Sequence, residues 1–244
     1  MSIMVDHWGE SYALCDIGPT PLGDGVVDVQ DLIVLSEHLF EDYRLIAHWK
    51  LDEQADNTAY DSVGEYDAIL EGQPVWQPTG GQAGGALGFD GIDDYVTTPF
   101  ILNPGEMPFS VTAWIKGGAP GQVIVSQADV PGSRTVEPGS TWLGTDSSDG
   151  RLITGLMDVY FGPLESESVI TDDQWHHIGL VYDRTAMKRH LYVDGAEVAV
   201  DAAYVGGVQT TGGLYLGAGR DLDAATFFSG LIDDVRIYNR MVAP

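Results

Sequence analysis

Phe109-Ser110-Val111-Thr112-Ala113-Trp114-Ile115-Lys116 alternates between apolar and mostly polar side chains with a period of two. Successive side chains of an extended strand point to opposite faces. Phe109, Val111, Ala113 and Ile115 therefore share one face, and Ser110, Thr112, Trp114 and Lys116 share the other. The first set belongs between two sheets, so Trp114 is expected to look out from the opposite face. The rhythm returns in Trp175–Asp183, where Ile178, Leu180 and Tyr182 alternate with Trp175, His177 and Val181. Near the C-terminus Leu231, Asp233, Val235 and Ile237 fall on one face, which places the Asp233 carboxylate on an apolar face in need of a partner.

Working outward, period-two segments recur from Arg44 onward and no long helical period interrupts them. Strand candidates are Leu45–Asp52, Ala86–Asp90, Pro108–Lys116, Gln122–Gln127, Arg151–Asp158, Gln174–Asp183, Lys188–Asp194, Gly213–Ala218 and Phe228–Asn239, with turn signals such as Asp194-Gly195 between them. Many short antiparallel strands without intervening helices predict an all-β fold, a two-sheet antiparallel jelly-roll sandwich. Composition agrees: 44% of the residues are hydrophobic, enough for a core, and 31 glycines suit a turn-rich chain. The 11 basic against 37 acidic residues leave a net charge of −26, which argues against nucleic acid or an anionic membrane surface as partner. Cys15 is the single cysteine, so neither an internal disulfide nor a cysteine-built zinc site is available. No apolar run approaches the length of a membrane span, and the N-terminus carries no signal-peptide pattern.

A set of motifs appears in order: Ala47-His48-Trp49-Lys50-Leu51-Asp52-Glu53, Tyr60-Asp61-Ser62-Val63-Gly64, Ala86-Leu87-Gly88-Phe89-Asp90-Gly91 with Ile92 to Val96, Phe109 to Ile115, Trp175-His176-His177-Ile178, Leu191-Tyr192-Val193-Asp194-Gly195, and Gly230-Leu231-Ile232-Asp233-Asp234-Val235-Arg236-Ile237-Tyr238-Asn239-Arg240. Together they resemble the laminin-G-like, concanavalin-A-like lectin/glucanase jelly-roll domain of bacterial secreted proteins. The resemblance covers residues 45 to 240 and implies a jelly-roll domain over 44–244, located outside the cell or on its surface. It also implies a structural Ca²⁺, with Asp61, the carbonyl region of Gly64 and an acid of the Asp233-Asp234 pair as ligands. Calcium takes six to eight oxygen ligands, so a few carboxylates plus carbonyls suffice. The alternative is that Asp233 caps a loop or pairs with Arg236. Asp90, Asp93 and Asp94 form a second acidic cluster, read as a solvated turn.

Residues 1–43 differ in character. Ile3 to Trp8 and Val34 to Leu39 form a weak repeat around Gly23-Asp24-Gly25-Val26-Val27-Asp28-Val29-Gln30-Asp31-Leu32. This segment resembles a degenerate dockerin, a duplicated calcium-loop-and-helix module. Thr20 and Leu22 stand where the loop's first and third ligands would be, so little calcium affinity is expected. The repeat's first loop is missing, which makes Met1 look like an internal start. The segment is read as a short helical appendage in preference to a cohesin-docking module.

Sugar binding needs aromatic faces beside polar groups, and alternation offers Trp114, Trp142, Tyr192 and Tyr215 as ligand-binding candidates. Packing within the sandwich is the competing role for each. Glycoside hydrolysis needs two carboxyl groups flanking one bond. The Glu-x-Asp-x-x-Glu run of glucanases with this fold is absent, and Glu165-Ser166-Glu167 after Gly162-Pro163 is the nearest approach, read as a solvated loop. His48, His176, His177 and His190 fall in expected strands, where a packed or solvent-facing role competes with catalysis, and His177, beside Trp175, is the one to mutate first. These features favour a secreted, calcium-stabilised carbohydrate-binding or adhesion module, with a carbohydrate or extracellular protein as ligand. The alternative is a promiscuous metal-dependent hydrolase of glycosides, esters or phosphoesters on the same fold.

Overall fold

The computed structural model describes residues 26–33, 45–128, 141–156, 162–205 and 212–244. The chain divides into two compact units, Met1–Leu45 and Ile46–Pro244. In the first, residues 29–33 form one helical turn. Asp28 Oδ1 accepts the Gln30 N–H and Asp31 Oδ2 accepts the Asp28 N–H, so these two acids cap the helix reciprocally. Most of the dockerin-like segment, including Thr20, Leu22 and Asp24, lies outside the described residues.

The second unit is built from strands. In chain order they are β1 Leu45–Trp49, β2 Thr58–Ala59, β3 Ala68–Glu71, β4 Val75–Gln77, β5 Ala86–Asp90, β6 Tyr95–Thr97, β7 Phe109–Gly117, β8 Val123–Gln127, β9 Thr141–Thr145, β10 Arg151–Thr154, β11 Leu164–Val169, β12 Trp175–Asp183, β13 Lys188–Val193, β14 Ala196–Ala202, β15 Leu214–Leu216 and β16 Ser229–Tyr238. They form two antiparallel sheets. The first runs β14-β13-β12-β7-β16-β5-β4 with β1 also on β16, and the second runs β11-β10-β9-β8-β15-β6-β3-β2. All nine expected strands are present. The additional ones are short, or, like β11 and β14, edge strands that carry acids and lack a clean alternation.

The expected inner face of β7 is in the core: Phe109, Val111, Ala113 and Ile115 are fully buried, as are Ile178, Leu180 and Tyr182 of β12. Trp114 is turned to the outer face, half-buried. Alternation fails at two places. In β16 the register slips by one residue between Asp233 and Arg236, a β-bulge in which Asp234 adopts a φ of +52°. Asp233 consequently pairs with outward-facing Trp114, while Val235 and Ile237 remain in the core. The expectation that Asp233 shares the apolar face with Val235 and Ile237 is corrected by that extra residue. Between β8 and β9 the register also shifts. Consecutive residues Ile124-Val125 and Trp142-Leu143 are all buried in the core, and the Trp142 ring lies 4.8 Å from that of Phe109. Trp142 is thus a core residue and not a ligand-binding one.

Candidate functional site

The same irregularity shapes the outer face of the second sheet. With Trp142 and Leu143 drawn inward, Thr141 and Gly144 both face outward and line a trough together with Val123, Ile153 and Gly155. Its walls are Gly121-Gln122 and Thr145-Asp146-Ser147 on one side and Pro163 and Glu165 on the other, enclosing about 350 Å³. A second hollow of about 160 Å³ shares Val123 and Thr141 and extends past Gly219, Arg220, Asp221, Asp223 and Thr226. The floor is low because two of its positions are glycine. A Cβ on Gly155 would meet nothing closer than Thr141 at 3.4 Å, so this position is open by sequence and not by crowding.

The walls are fastened to the scaffold. Gln122 Oε1 accepts from the N–H groups of Ala119 and Ser229 and from the Ser229 hydroxyl. The Thr145 hydroxyl donates to the Ala119 carbonyl and accepts the Gln122 N–H. Hydrogen bonds from the Ser148 hydroxyl and N–H and the Asp149 N–H hold the Asp146 carboxyl down at about 2, so it is ionised at neutral pH. On the far wall, β11 is a strand and not the expected loop, with Glu165 and Glu167 exposed on the same side. Glu165 enters the trough, whereas Glu167 lies 3.7 Å from Arg151.

Next to the trough, Ser126 pairs with Thr141 on one side and with Tyr215 on the other. Tyr215 meets Tyr95 edge to face at 5.2 Å. Burial, Glu71 and Tyr215 raise the Tyr95 phenol above its ordinary value, so it keeps its proton for donation. Of the expected ligand-binding aromatics, Tyr215 alone belongs to this face. The sequence reading missed Thr141, Gly144 and Gly155. Isolated glycines in strand-like runs are the signal that marks them, since such glycines often accompany bulges.

Trp114 and Tyr192 lie on the outer face of the first sheet. Trp114 stacks on His177, centroids 4.9 Å apart and planes 27° apart. Burial lowers the His177 pKa, so the ring is neutral against the indole. Tyr192 and His190 both bond to Glu197 Oε2. His176, on the other side of its strand, joins Asp194 at 2.8 Å and Asp172 at 3.1 Å. Burial opposes the His176 charge, but the bonds to Asp194 and Asp172 outweigh it and the pKa is raised. The ionic part of this contact is fully present below the unfolded histidine pKa of about 6.5 and is lost as pH rises through the folded value. The melting-temperature gap between the wild type and His176→Gln is expected to narrow from pH 6 to pH 9, by less than about 1 kcal/mol in stability because the pair is partly solvated. A gap constant with pH would contradict it.

The four expected calcium ligands fall into two groups. Asp61 and Gly64 share a turn in which Asp61 accepts the N–H groups of His48, Val63 and Tyr66. A Cβ on Gly64 would lie 2.6 Å from Asp61 Oδ2, so the turn closes only with glycine there. Asp234 is engaged by His48 at 2.6 Å and by Arg236 at 2.9 Å. Burial raises the Asp234 pKa, but the His48 hydrogen bond and the Arg236 charge prevail and it stays below the usual carboxylate range. Asp233 is fully buried; its Oδ2 accepts the N–H groups of Gln82 and Ala83 at 2.7 and 2.8 Å, while Oδ1 has no hydrogen-bond partner. Burial first, then the charges of Asp234 and Asp52, raise its pKa. An orphaned buried carboxylate oxygen beside further carboxylates suits a hard cation. Among the described residues, Asp90, Asp93 and Asp94 are the one group of three whose ligand atoms lie within 4.8 Å of one another. Asp94 is buried there and accepts from Gln73 and Asp90 N–H groups, so it ties two loops together.

Comparison with known proteins places these features in a wider group. A family profile described as "Concanavalin A-like lectin/glucanases superfamily" matches residues 90–244. No curated protein sequence matches the chain. Among solved structures, domain 4 of AbnA, a GH43 extracellular arabinanase from Geobacillus stearothermophilus in complex with arabinotriose, is similar with a TM-score of 0.58 at 19% identity, over 81% of this chain and 93% of that one. A Trypanosoma rangeli sialidase in complex with 2,3-difluorosialic acid gives a TM-score of 0.58 at 14% identity, over 82% of this chain and 31% of the sialidase. This chain thus spans about a third of the sialidase's length. The binding domain of Paraclostridial mosquitocidal protein 1 gives 0.59 at 11% identity, over 82% of this chain and 50% of that one. At such identities the likeness is one of fold.

Proposed function

The chain belongs to the concanavalin A-like lectin/glucanases superfamily, and from that premise we propose that it is a carbohydrate-binding module acting outside the cell, with the trough on the second sheet as its site. The observation that carries the reading is the trough itself. Its floor is shallow and built largely of glycines and short side chains, and its walls bear fixed polar groups. Sites of this kind combine apolar contact area with a few oriented polar groups. Asp146, Glu165, Asp221 and Asp223 line it against one arginine, Arg220. Two like charges 4 Å apart near a protein surface repel by about 4 kcal/mol. The trough therefore suits neutral oligosaccharides such as the arabinotriose bound by the arabinanase domain, and disfavours acidic sugars such as the sialic-acid analogue bound by the sialidase. Calcium enters as a structural ion held through Asp233, supplying charge neutralisation at a buried carboxylate and no chemistry at the trough.

The test is titration calorimetry with arabinotriose and other neutral oligosaccharides, set against sialic acid. Gly155→Trp fills the floor without crowding the backbone and is expected to weaken binding at least tenfold while leaving the melting temperature within about 2 °C, as a surface substitution should. Unchanged affinity in this variant, or preference for sialic acid, would remove the trough from consideration.

A further inference from the structure

On another part of the β unit, Ser62, His48 and Asp234 form a continuous chain of hydrogen bonds. His48 Nε2 lies 2.6 Å from Asp234 Oδ1, and His48 Nδ1 lies 3.0 Å from Ser62 Oγ. Asp234 is held in turn by Arg236, whose Nη2 is 2.9 Å from Oδ2. The carboxylate at 2.6 Å favours the imidazole proton on Nε2 over the longer 3.4 Å contact that Arg236 Nε makes to the same nitrogen, and with that tautomer Nδ1 offers its lone pair to the serine hydroxyl. The Ser62 hydroxyl has one competing acceptor, the His48 carbonyl at 3.1 Å. His48 and Asp234 are buried while Ser62 is exposed. Ser62 lines a hollow of about 260 Å³ with Lys50, Asp52, Glu53 and Tyr60. In that lining, Glu53 Oε2 is shielded from solvent and has no hydrogen-bond partner.

We propose that Ser62 is a nucleophile activated by His48 and oriented through Asp234, and that this centre hydrolyses small uncharged carboxylic esters. The arrangement has the roles of an acid-base-nucleophile triad, with the two imidazole nitrogens exchanged. Ser62 Oγ attacks the ester carbonyl carbon as its proton passes to His48 Nδ1. Asp234 balances the resulting imidazolium, and Lys50, the basic residue of the lining, is the cation available to the developing oxyanion. The C–O bond to the alcohol then breaks and the alcohol leaves with the proton from Nδ1. Water attacks the acyl-serine, gives one proton to Nδ1, and the acid departs as that proton returns to Oγ. The carboxylates of Asp52 and Glu53 and the net charge of −26 select against anionic esters. This centre is independent of the trough and needs no metal.

The full chain in EDTA is treated with a fluorophosphonate, and turnover of p-nitrophenyl acetate is followed in parallel. A phosphonyl adduct is expected on Ser62, formed at least about 100-fold faster than in the guanidinium-unfolded chain, in keeping with one general base. Ser62→Ala should lose both adduct and turnover at unchanged melting temperature, and His48→Gln should slow labelling by about 100-fold. The comparison with unfolded wild type decides the matter even where His48→Gln fails to fold. No adduct, an adduct on Tyr60 or elsewhere, or equal rates in native and unfolded chains would overturn the proposal.

Discussion

Replacing Arg189 by alanine is expected to lower stability by about 2–4 kcal/mol, from the cavity left by a large buried side chain and the Leu156 and Gly162 carbonyls left without a donor. Arg189 is fully buried. Its guanidinium makes a two-pronged contact with Asp201, with Nε 3.0 Å from Oδ1, and donates to the Leu156 and Gly162 carbonyls at 2.9 and 3.1 Å. A charge at the back of β13 thus holds the edge strand β14 and both sides of the passage from β10 to β11. Gly162 directly precedes the Pro163–Glu165 wall, so the variant is also expected to lose oligosaccharide affinity where it remains folded. At roughly 2–4 °C per kcal/mol, the melting temperature should fall by about 10 °C. Lysine cannot reproduce the fork and should not rescue it. A loss below about 1 kcal/mol by thermal melting would mean that water replaces the guanidinium without strain.

Asp233→Asn is expected to act in opposite directions with and without calcium. In EDTA the amide removes a buried charge that lies near Asp234 and Asp52, and can still accept the Gln82 and Ala83 N–H groups through its oxygen. The variant should therefore melt above the wild type in EDTA, since the amide carries no charge to desolvate. In calcium at about 100 times its dissociation constant the wild type should gain about 2.7 kcal/mol and the variant nothing. Melting curves of both proteins in both buffers read this directly. A wild type insensitive to calcium, with the variant destabilised in EDTA, would reduce Asp233 to a carboxylate that fastens the 82–83 turn.

Strands β7 and β12 were legible because their alternation is unbroken, and with them the sandwich architecture. The bulges were not. One extra residue at Asp233-Asp234 reverses the facing of a strand, and the irregular pairing of β8 with β9 puts Trp142 beside Phe109. Period-two reasoning has no way to place an extra residue, since the energy that favours it comes from partners distant in sequence. Asp61 and Ser62 were recognised as a turn, but the meeting of Ser62 with His48 and Asp234 depends on strands more than 180 residues apart, His48 and Asp234 being 186 apart. Glu165 was read as part of a solvated loop, and the trough it enters from β11 is made by glycines that carry no chemistry of their own.

The position of β16 has a consequence for how the domain is made. This strand pairs with β7, β5 and β1, yet follows all of them in the chain. Until it is added, β5 and β1 have no bond to β7, and one polar edge of each is open to water or to other molecules. Non-local pairing of this kind slows folding, toward the millisecond-to-second range of β sandwiches. During synthesis the first sheet therefore remains split until β16 emerges, exposed to mispairing, and closes in that one step. The Ser62-His48-Asp234 chain comes into being in that same step, so it would report, by its reactivity, the moment at which the fold is complete.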